Sequence, residues 1–149
     1  MNEQTKNRAL QMLDKRDYAR KELIGKLVQK GETPEDAQAV VDRFVELGVV
    51  DDEKYGAMVV RHYAAKGYGA ARIRTELSRR GVPRELWEEL LSQMPPAEEA
   101  AERFIQSKCK GKQLDREMLR KLSAALQRRG FSWQDIGPVL RRLEDEIQE

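Results

Sequence analysis

Cysteine, aromatic residues and long apolar runs are all scarce in this chain, and each scarcity excludes a class of protein. Cys109 is the one cysteine among 149 residues, so neither an internal disulfide nor a cysteine metal cluster can form. No stretch approaches the roughly 18 apolar residues of a transmembrane helix, and the first residues lack the basic and apolar regions of a signal peptide. Aromatic residues make up only 6% of the chain, which favours thin, helix-rich packing. We therefore expect a cytoplasmic protein that does not associate with a membrane.

Motifs for catalysis and cofactor binding are also missing. His62 is the one histidine, and a lone histidine on a helix is more often a surface residue than a general base. The chain has no lysine-containing phosphate loop, no Gly-x-Gly-x-x-Gly sequence and no His-Glu-x-x-His sequence. Asp51 and Asp52 are adjacent carboxylates, but helix capping explains both without a metal ion. The sequence thus predicts a protein that is not an enzyme, with no catalytic residues, no cofactor and no metal site.

Charge is abundant and unevenly distributed. Charged residues make up 36% of the chain, although the net charge is only +2. Eight basic residues accompany a single acid between Lys54 and Arg84, and nine accompany two acids between Arg103 and Arg129. Six glutamates and no basic residue lie between these two segments. Segregated charge of this kind produces local potentials that the net charge hides, so it indicates basic surfaces.

Helical periodicity runs through nearly the whole sequence, whereas the alternating patterns of strands are nearly absent. The pattern predicts nine helices, at residues 3–14, 19–30, 34–47, 52–65, 69–80, 84–93, 97–109, 115–129 and 133–147. Thr33, Asp51 and Ser132 stand at the N-cap positions of three of them. Five glycines fall where helices should end, because glycine adopts the left-handed conformation of a C-cap without a Cβ clash: Gly31, Gly48, Gly67, Gly81 and Gly130.

A repeat of about fifty residues is the strongest structural signal in the sequence. Its central motif occurs three times, as Leu23-x3-Leu27-x3-Gly31, Ile73-x3-Leu77-x3-Gly81 and Leu122-x3-Leu126-x3-Gly130. A basic residue precedes each glycine, and an apolar pair follows it nine and ten residues later. Tyr18 and Tyr68 occupy the same position in the first two copies. Agreement at so many offsets indicates three copies of one structural unit.

Each copy contains three short helices, with the Leu-x3-Leu helix in the middle. A unit of about fifty residues buries too little apolar surface for much stability alone. Stacked units support one another, as in solenoid proteins. We therefore predict an elongated, curved all-α array of three tandem three-helix, helix-turn-helix-like repeats, at residues 1–50, 51–95 and 96–149.

Two of the middle helices are predicted to carry basic outer faces. In the helix over 69–80, burial of the apolar face directs Arg72 and Arg79 outward, with Arg74 and Arg80 close by. The outward basic residues of the helix over 115–129 are Arg116, Arg120, Lys121 and Arg128. A solvated surface is the default interpretation for either helix alone, partly neutralised in the first case by Glu76. Two such faces in equivalent helices favour an anionic partner, either an acidic protein groove or a nucleic-acid backbone.

Base-specific DNA recognition and membrane binding are both less favoured. Helix-turn-helix proteins read bases with the first residues of the recognition helix, and the corresponding residues of the three copies share no pattern. The helices also lack a broad apolar face that remains after packing, which a membrane-surface helix needs. Sequence-independent binding to a nucleic-acid backbone remains open.

Three segments of the chain form a specific set in their order and spacing. They begin at Lys15, Leu47 and Gly67 and read KRDYARKEL, LGVVDDEKY and GYGAARIRTELSRRGV. Together they resemble the RecX family of bacterial recombination regulators, and the resemblance extends over essentially the whole chain. The resemblance implies tandem three-helix repeats that lie along the groove of the RecA recombinase filament on single-stranded DNA. It further implies inhibition of the ATPase, strand-exchange and coprotease activities of RecA, and hence a role in homologous recombination, DNA repair and the SOS response.

The partner-binding residues expected on this basis come from the second and third copies. They are Arg61, Lys66, Tyr68, Arg72, Arg74, Arg79, Arg80, Arg116, Arg120, Lys121, Arg128 and Arg129. The expected partner is the RecA filament, with direct contact to DNA through the basic faces as an option, and the protein is expected to be a monomer. The alternative interpretation is a general single- or double-stranded DNA-binding helical repeat protein.

Overall fold

Nine α-helices make up the chain in the computed structural model, which describes residues 1–148 and shows no strand among them. They are α1 Glu3–Lys15, α2 Arg20–Gln29, α3 Pro34–Glu46, α4 Asp52–Ala65, α5 Ala70–Arg79, α6 Trp87–Leu91, α7 Ala97–Cys109, α8 Arg116–Arg128 and α9 Trp133–Gln148. We call α1–α3, α4–α6 and α7–α9 the three triplets, and α2, α5 and α8 their middle helices.

The predicted helix boundaries are confirmed to within one residue except at α6. The prediction of a helix over 84–93 is wrong at both ends: a single 3-10 turn, Arg84–Leu86, precedes α6, and α6 ends at Leu91. The end has a local cause, because Pro95 disfavours a helical conformation at Met94, the residue before it.

Side-chain caps and glycine turns define the helix ends. Thr33 Oγ1 accepts a hydrogen bond from Asp36 N at 3.1 Å, and Ser132 Oγ accepts one from Asp135 N at 3.1 Å, as predicted. The five glycines that were expected to end helices all have positive φ, between 75° and 106°. The left-handed conformation of these residues satisfies the last carbonyl groups of each helix.

Internal contacts divide the chain into two units. The first contains Met1–Val59 and Glu76–Leu90, and the second contains Val60–Thr75 and the residues from Leu91 onward. The helices α4 and α5 therefore contribute residues to both units.

Each unit has an apolar core built from the apolar stripes of its helices. In the first unit, the core of the first triplet contains Ala9, Met12, Leu23, Leu27, Ala37, Val40, Val41, Phe44 and Val50. In the second unit, the core of the third triplet contains Ala101, Ile105, Leu119, Leu122, Leu126, Phe131, Ile136 and Leu140. Ile73 and Leu77 of α5 are also fully buried, so the inward direction predicted for the repeated Leu-x3-Leu motif is confirmed in all three copies.

Candidate partner-binding surface

The glycine turn that ends α5 lies against the first residues of α2. A Cβ atom at Gly81 would lie 3.3 Å from Glu22 N. The N-cap residue of α2, Ala19, has no side-chain oxygen, and Arg20 N donates instead to Asp52 Oδ1 at 2.7 Å. We call this contact between the first two triplets the first joint.

Asp51 and Asp52 both cap helices, as predicted, but they cap two different helices. Asp51 Oδ1 accepts from Lys54 N at 3.1 Å and so caps α4, the helix that follows it. Asp52 caps α2 of the preceding triplet, because the side chain of the first residue of α4 points back to that helix start.

The glycine turn that ends α8 lies against the start of α5 in the same manner, and we call this contact the second joint. Gly69 N donates to Arg129 O at 2.7 Å, and Ala71 N donates to Gly130 O at 3.1 Å. A Cβ atom at Gly130 would lie 2.5 Å from Arg72 N, and one at Gly69 would lie 2.6 Å from the carbonyl carbon of Gly130. Only glycine at both positions permits this approach.

The start of α8 differs from the starts of α2 and α5, because it is capped by its own flanking residue. Asp115 Oδ1 accepts a hydrogen bond from Met118 N at 2.7 Å. The third middle helix therefore completes its first turn without a neighbouring triplet.

Three of the expected partner-binding residues, Arg129, Tyr68 and Arg72, take part in the second joint. Arg129 Nη1 donates to Lys66 O at 2.9 Å. The Arg129 guanidinium lies 5.2 Å from the ring centroids of both Tyr68 and Phe104, within the range of cation–π attraction. The Arg72 guanidinium lies 5.3 Å from the same Tyr68 ring. The half-buried Tyr68 ring is thus held between two arginines.

Arg80 and Arg79 pair with a buried carboxylate in the first unit. Glu76 is only 2% exposed, and its two carboxylate oxygens lie 3.0 Å from Arg79 Nη1 and 3.5 Å from Arg80 Nε. Arg80 Nη1 also donates to the Tyr55 hydroxyl at 3.0 Å. The expectation that Glu76 lies in a solvated face is wrong, because its spacing of three residues from Ile73 and one from Leu77 places it on the inner side of α5.

Arg16 and Tyr55 extend this network towards α2. The Tyr55 hydroxyl accepts a second hydrogen bond, from Arg16 Nη1 at 3.3 Å, and Arg16 Nη2 lies 3.0 Å from Glu22 Oε2. Burial alone lowers the pKa of Arg16, but the hydrogen bond and negative charge of Glu22 outweigh it and raise the pKa above its usual value. The Arg16 guanidinium lies 3.6 Å from the Tyr18 ring centroid. Tyr18 and Tyr68, equivalent in the repeat, therefore each contact an arginine.

The remaining expected residues lie at the surface. Exposed are Arg61, Lys66, Arg72, Arg79, Arg116, Arg120, Lys121 and Arg128, whereas Arg74 is half-buried. The side chain of Arg79 is 70% exposed despite its contact with Glu76, and that of Lys121 is 77% exposed beside Glu117. The predicted set thus contains surface cations and three less exposed residues, Tyr68, Arg80 and Arg129. Two of the surface cations, Arg72 and Arg79, also contact Tyr68 and Glu76.

The surface cations of α5 and α8 occupy equivalent positions in the repeat. Arg72 and Lys121 each lie nine residues before the turn glycine, and Arg79 and Arg128 each lie two residues before it. In the first triplet, the corresponding residues are Glu22 and Gln29. The basic character of these two positions is therefore confined to the second and third triplets.

Residues 1–148 offer neither a metal site nor a membrane span. This part of the chain contains no group of three or more histidine, cysteine, aspartate or glutamate side chains placed to hold a metal ion. None of its helices is long and apolar enough to cross a membrane. His62 is exposed on α4, with its ring 5.1 Å from that of Tyr63.

Comparison with known proteins identifies relatives of this arrangement. The family model for the first three-helix domain of RecX matches residues 6–44, and the model for the second matches residues 51–91. A regulatory protein RecX of Xanthomonas axonopodis pv. citri is 38% identical over 141 residues, which cover 93% of this chain and 87% of that protein. A regulatory protein RecX of Pelodictyon phaeoclathratiforme is 34% identical over 139 residues, or 91% of this chain and 86% of that protein.

A solved structure shares the fold. The crystal structure of RecX from Lactobacillus salivarius superposes with a TM-score of 0.76, covering 97% of this chain and 95% of that chain at 20% identity. The predicted all-α fold of tandem three-helix domains is confirmed. Matched domain models and relatives over most of its length show that this chain belongs to the RecX family of regulatory proteins.

Proposed function

We propose that this chain binds the RecA filament on single-stranded DNA and inhibits the ATPase, strand-exchange and coprotease activities of RecA. It would act in the cytoplasm as a non-enzymatic regulator of recombination and of the SOS response. Membership of a family of regulatory proteins supports this proposal. The basic faces of the second and third triplets supply the chemistry that an acidic protein groove or a phosphate backbone would recognise.

The observation that carries the proposal is the recurrence of surface cations at equivalent positions of α5 and α8. Arg72 and Lys121 form one equivalent pair, and Arg79 and Arg128 form the other. A polymer such as a recombinase filament presents the same surface at every protomer. Repeated weak contacts on one chain then add, because each later contact is intramolecular. Contacts to adjacent protomers would oppose the movements that accompany ATP turnover.

We assign filament contact to the surface cations, and joint formation to Tyr68, Arg80 and Arg129. The three latter residues already engage a tyrosine hydroxyl, a carboxylate, a backbone carbonyl or aromatic rings inside the molecule. Removing them would alter the fold before it altered a partner contact. Arg61, exposed in the second half of α4, and Lys66, exposed directly after that helix, extend the proposed surface.

The decisive experiment measures RecA ATPase activity on single-stranded DNA while this protein is titrated in. The test variant carries Arg72→Gln, Arg79→Gln, Lys121→Gln and Arg128→Gln, the four residues of the two equivalent pairs. Glutamine is used rather than glutamate because a new negative charge at residue 79 would repel the buried Glu76. Loss of four exposed ion pairs should raise the half-inhibitory concentration about tenfold or more.

A matched control removes four surface charges from the first triplet, through Lys15→Gln, Lys21→Gln, Lys26→Gln and Arg43→Gln. The control should inhibit like the parent chain, and both variants should keep the parental helical circular dichroism. Full inhibition by the test variant would refute the assignment of the surface. If the parent protein bound DNA alone with a steep salt dependence and had no effect specific to RecA, a general DNA-binding function would replace the proposal.

A further inference from the structure

A cleft of about 390 Å³ lies between α8 and α9 in the second unit. Its lining includes two arginines of α8, Arg116 and Arg120, and two residues of α9, Trp133 and Arg141. Small-ligand sites in proteins have volumes of roughly 300–1,000 Å³, so the cleft is large enough to accept one flat ring system.

Trp133 presents its indole to solvent at this cleft. It is 52% exposed, and it is one of only two tryptophans in the chain. The other tryptophan, Trp87, is half-buried and donates its indole N–H to Val82 O at 2.9 Å. The exposed indole of Trp133 therefore offers a flat ring face for stacking at this cleft.

Gly137 brings Trp133 and Arg141 together beside the cleft. A Cβ atom at residue 137 would lie 3.3 Å from Arg141 Nη1 and 3.6 Å from Trp133 Nε1. Both side chains therefore cover the glycine backbone one turn into α9, and the indole and the guanidinium lie side by side. A larger residue at this position would push the two groups apart.

The charge of the cleft is predominantly positive. Arg116, Arg120 and Arg141 line it together with one carboxylate, that of Glu144. The ion pairs that the structure shows on α8 and α9 use other residues: Lys121 with Glu117, and Arg142 with Glu102 and Glu146. The three arginines of the cleft are thus placed for an anionic ligand.

We propose that this cleft binds single-stranded nucleic acid, with one base stacked on the Trp133 indole and neighbouring phosphates on Arg116, Arg120 and Arg141. An exposed aromatic ring among cations is the arrangement that binds single strands without sequence preference, because every base has a π-face. A duplex keeps its bases stacked inside, so the indole selects the single strand. An acidic peptide would use the arginines alone. The inference does not rest on RecA inhibition, although Arg116 and Arg120 line the cleft and also belong to the surface cations assigned to filament contact.

The test measures fluorescence anisotropy of two labelled strands of about 20 nucleotides, an oligothymidylate and an abasic strand with the same phosphates. Trp133→Ala should weaken binding of the oligothymidylate about tenfold, the size expected for loss of one stacked base. It should change binding of the abasic strand less than about twofold. Trp133→Phe should restore most of the affinity, because phenylalanine keeps a ring for stacking.

The arginines are tested separately by the salt dependence. Arg116→Gln with Arg120→Gln should weaken both strands and reduce the slope of log K against log salt by about 0.7 for each cation lost to a single strand. Lys121→Gln is the matched control, because Lys121 lies on the same helix but pairs with Glu117 and does not line the cleft.

Three results would overturn the inference. The first is equal affinity of the parent and Trp133→Ala for the oligothymidylate, and the second is an equal loss of affinity for both strands in Trp133→Ala. The third is a smaller loss of affinity in the variant with both arginine substitutions than in Lys121→Gln. Failure of RecA inhibition with intact, Trp133-dependent strand binding would refute only the proposed function. Inhibition without Trp133-dependent strand binding would refute only the assignment of the cleft.

Discussion

Replacement of Gly130 by alanine should break the second joint. Gly130 has φ of +98°, and an L-residue held in the left-handed region costs about 1–2 kcal/mol. The new Cβ atom would also lie 2.5 Å from the backbone nitrogen of Arg72, so the two backbones must separate. Separation breaks the hydrogen bonds from Gly69 N to Arg129 O and from Ala71 N to Gly130 O, each worth about 1 kcal/mol. We expect the free energy of unfolding to fall by about 3–4 kcal/mol.

Substitutions at two other glycines separate the conformational cost of Gly130→Ala from its steric cost. Gly31→Ala has the conformational cost alone, because φ is +106° and no atom lies within 4 Å of the new Cβ, so a loss of about 1–2 kcal/mol is expected. Gly69→Ala has the steric cost alone, because its φ is not positive but its Cβ would lie 2.6 Å from the Gly130 carbonyl carbon. That variant should lose the two hydrogen bonds, or about 2 kcal/mol.

Urea unfolding followed by far-ultraviolet circular dichroism measures these differences, and amide hydrogen exchange locates them. Exchange at Gly69 N and Ala71 N should accelerate in Gly130→Ala, because both amides lose their acceptors. A stability of Gly130→Ala equal to that of Gly31→Ala would refute the argument that close backbone approach at Gly130 matters.

Two further substitutions test the first unit by the same urea assay. Glu76→Gln should lower the free energy of unfolding by about 1–2 kcal/mol, because the buried carboxylate that pairs with two arginines is lost. The control Glu46→Gln should lower it by less than about 0.5 kcal/mol, because the pair of Glu46 with Arg43 is exposed. Equal effects would show that burial of Glu76 adds nothing. Asp52→Ala should lower the free energy of unfolding by about 1 kcal/mol and accelerate hydrogen exchange of the Arg20 amide, because that amide loses its acceptor. Unchanged exchange would contradict the capping of α2 by Asp52.

Much of the fold could be predicted because its causes are local. The apolar spacing of Leu23 and Leu27 and of Ile73 and Leu77 requires a buried helical face, and all four residues are fully buried. The glycines at helix ends were predictable for the same reason, since a left-handed C-cap depends on one residue and its immediate neighbours. Helix α6 was the exception: a 3-10 turn replaces its predicted first turn, and the helix ends at Leu91.

The joints could not be read from local patterns. Arg20 and Asp52 are 32 residues apart, and Arg129 and Lys66 are 63 residues apart. Periodicity within one helix carries no information about such pairs. The basic residue before each turn glycine was a partial signal, since Arg80 and Arg129 occupy that position, but it indicated a surface role equally well. The filament-binding assignment of the surface cations and the repeat boundaries remain predictions.

The direction of the joints links folding to the order of synthesis. Each of the first two middle helices receives hydrogen-bond acceptors from a later part of the chain: α2 from Asp52, and α5 from the Arg129–Gly130 turn. A chain emerging from the ribosome therefore leaves the start of α5 incomplete until Gly130 is available. Only α8, capped by Asp115, can close its first turn as soon as that turn has been made.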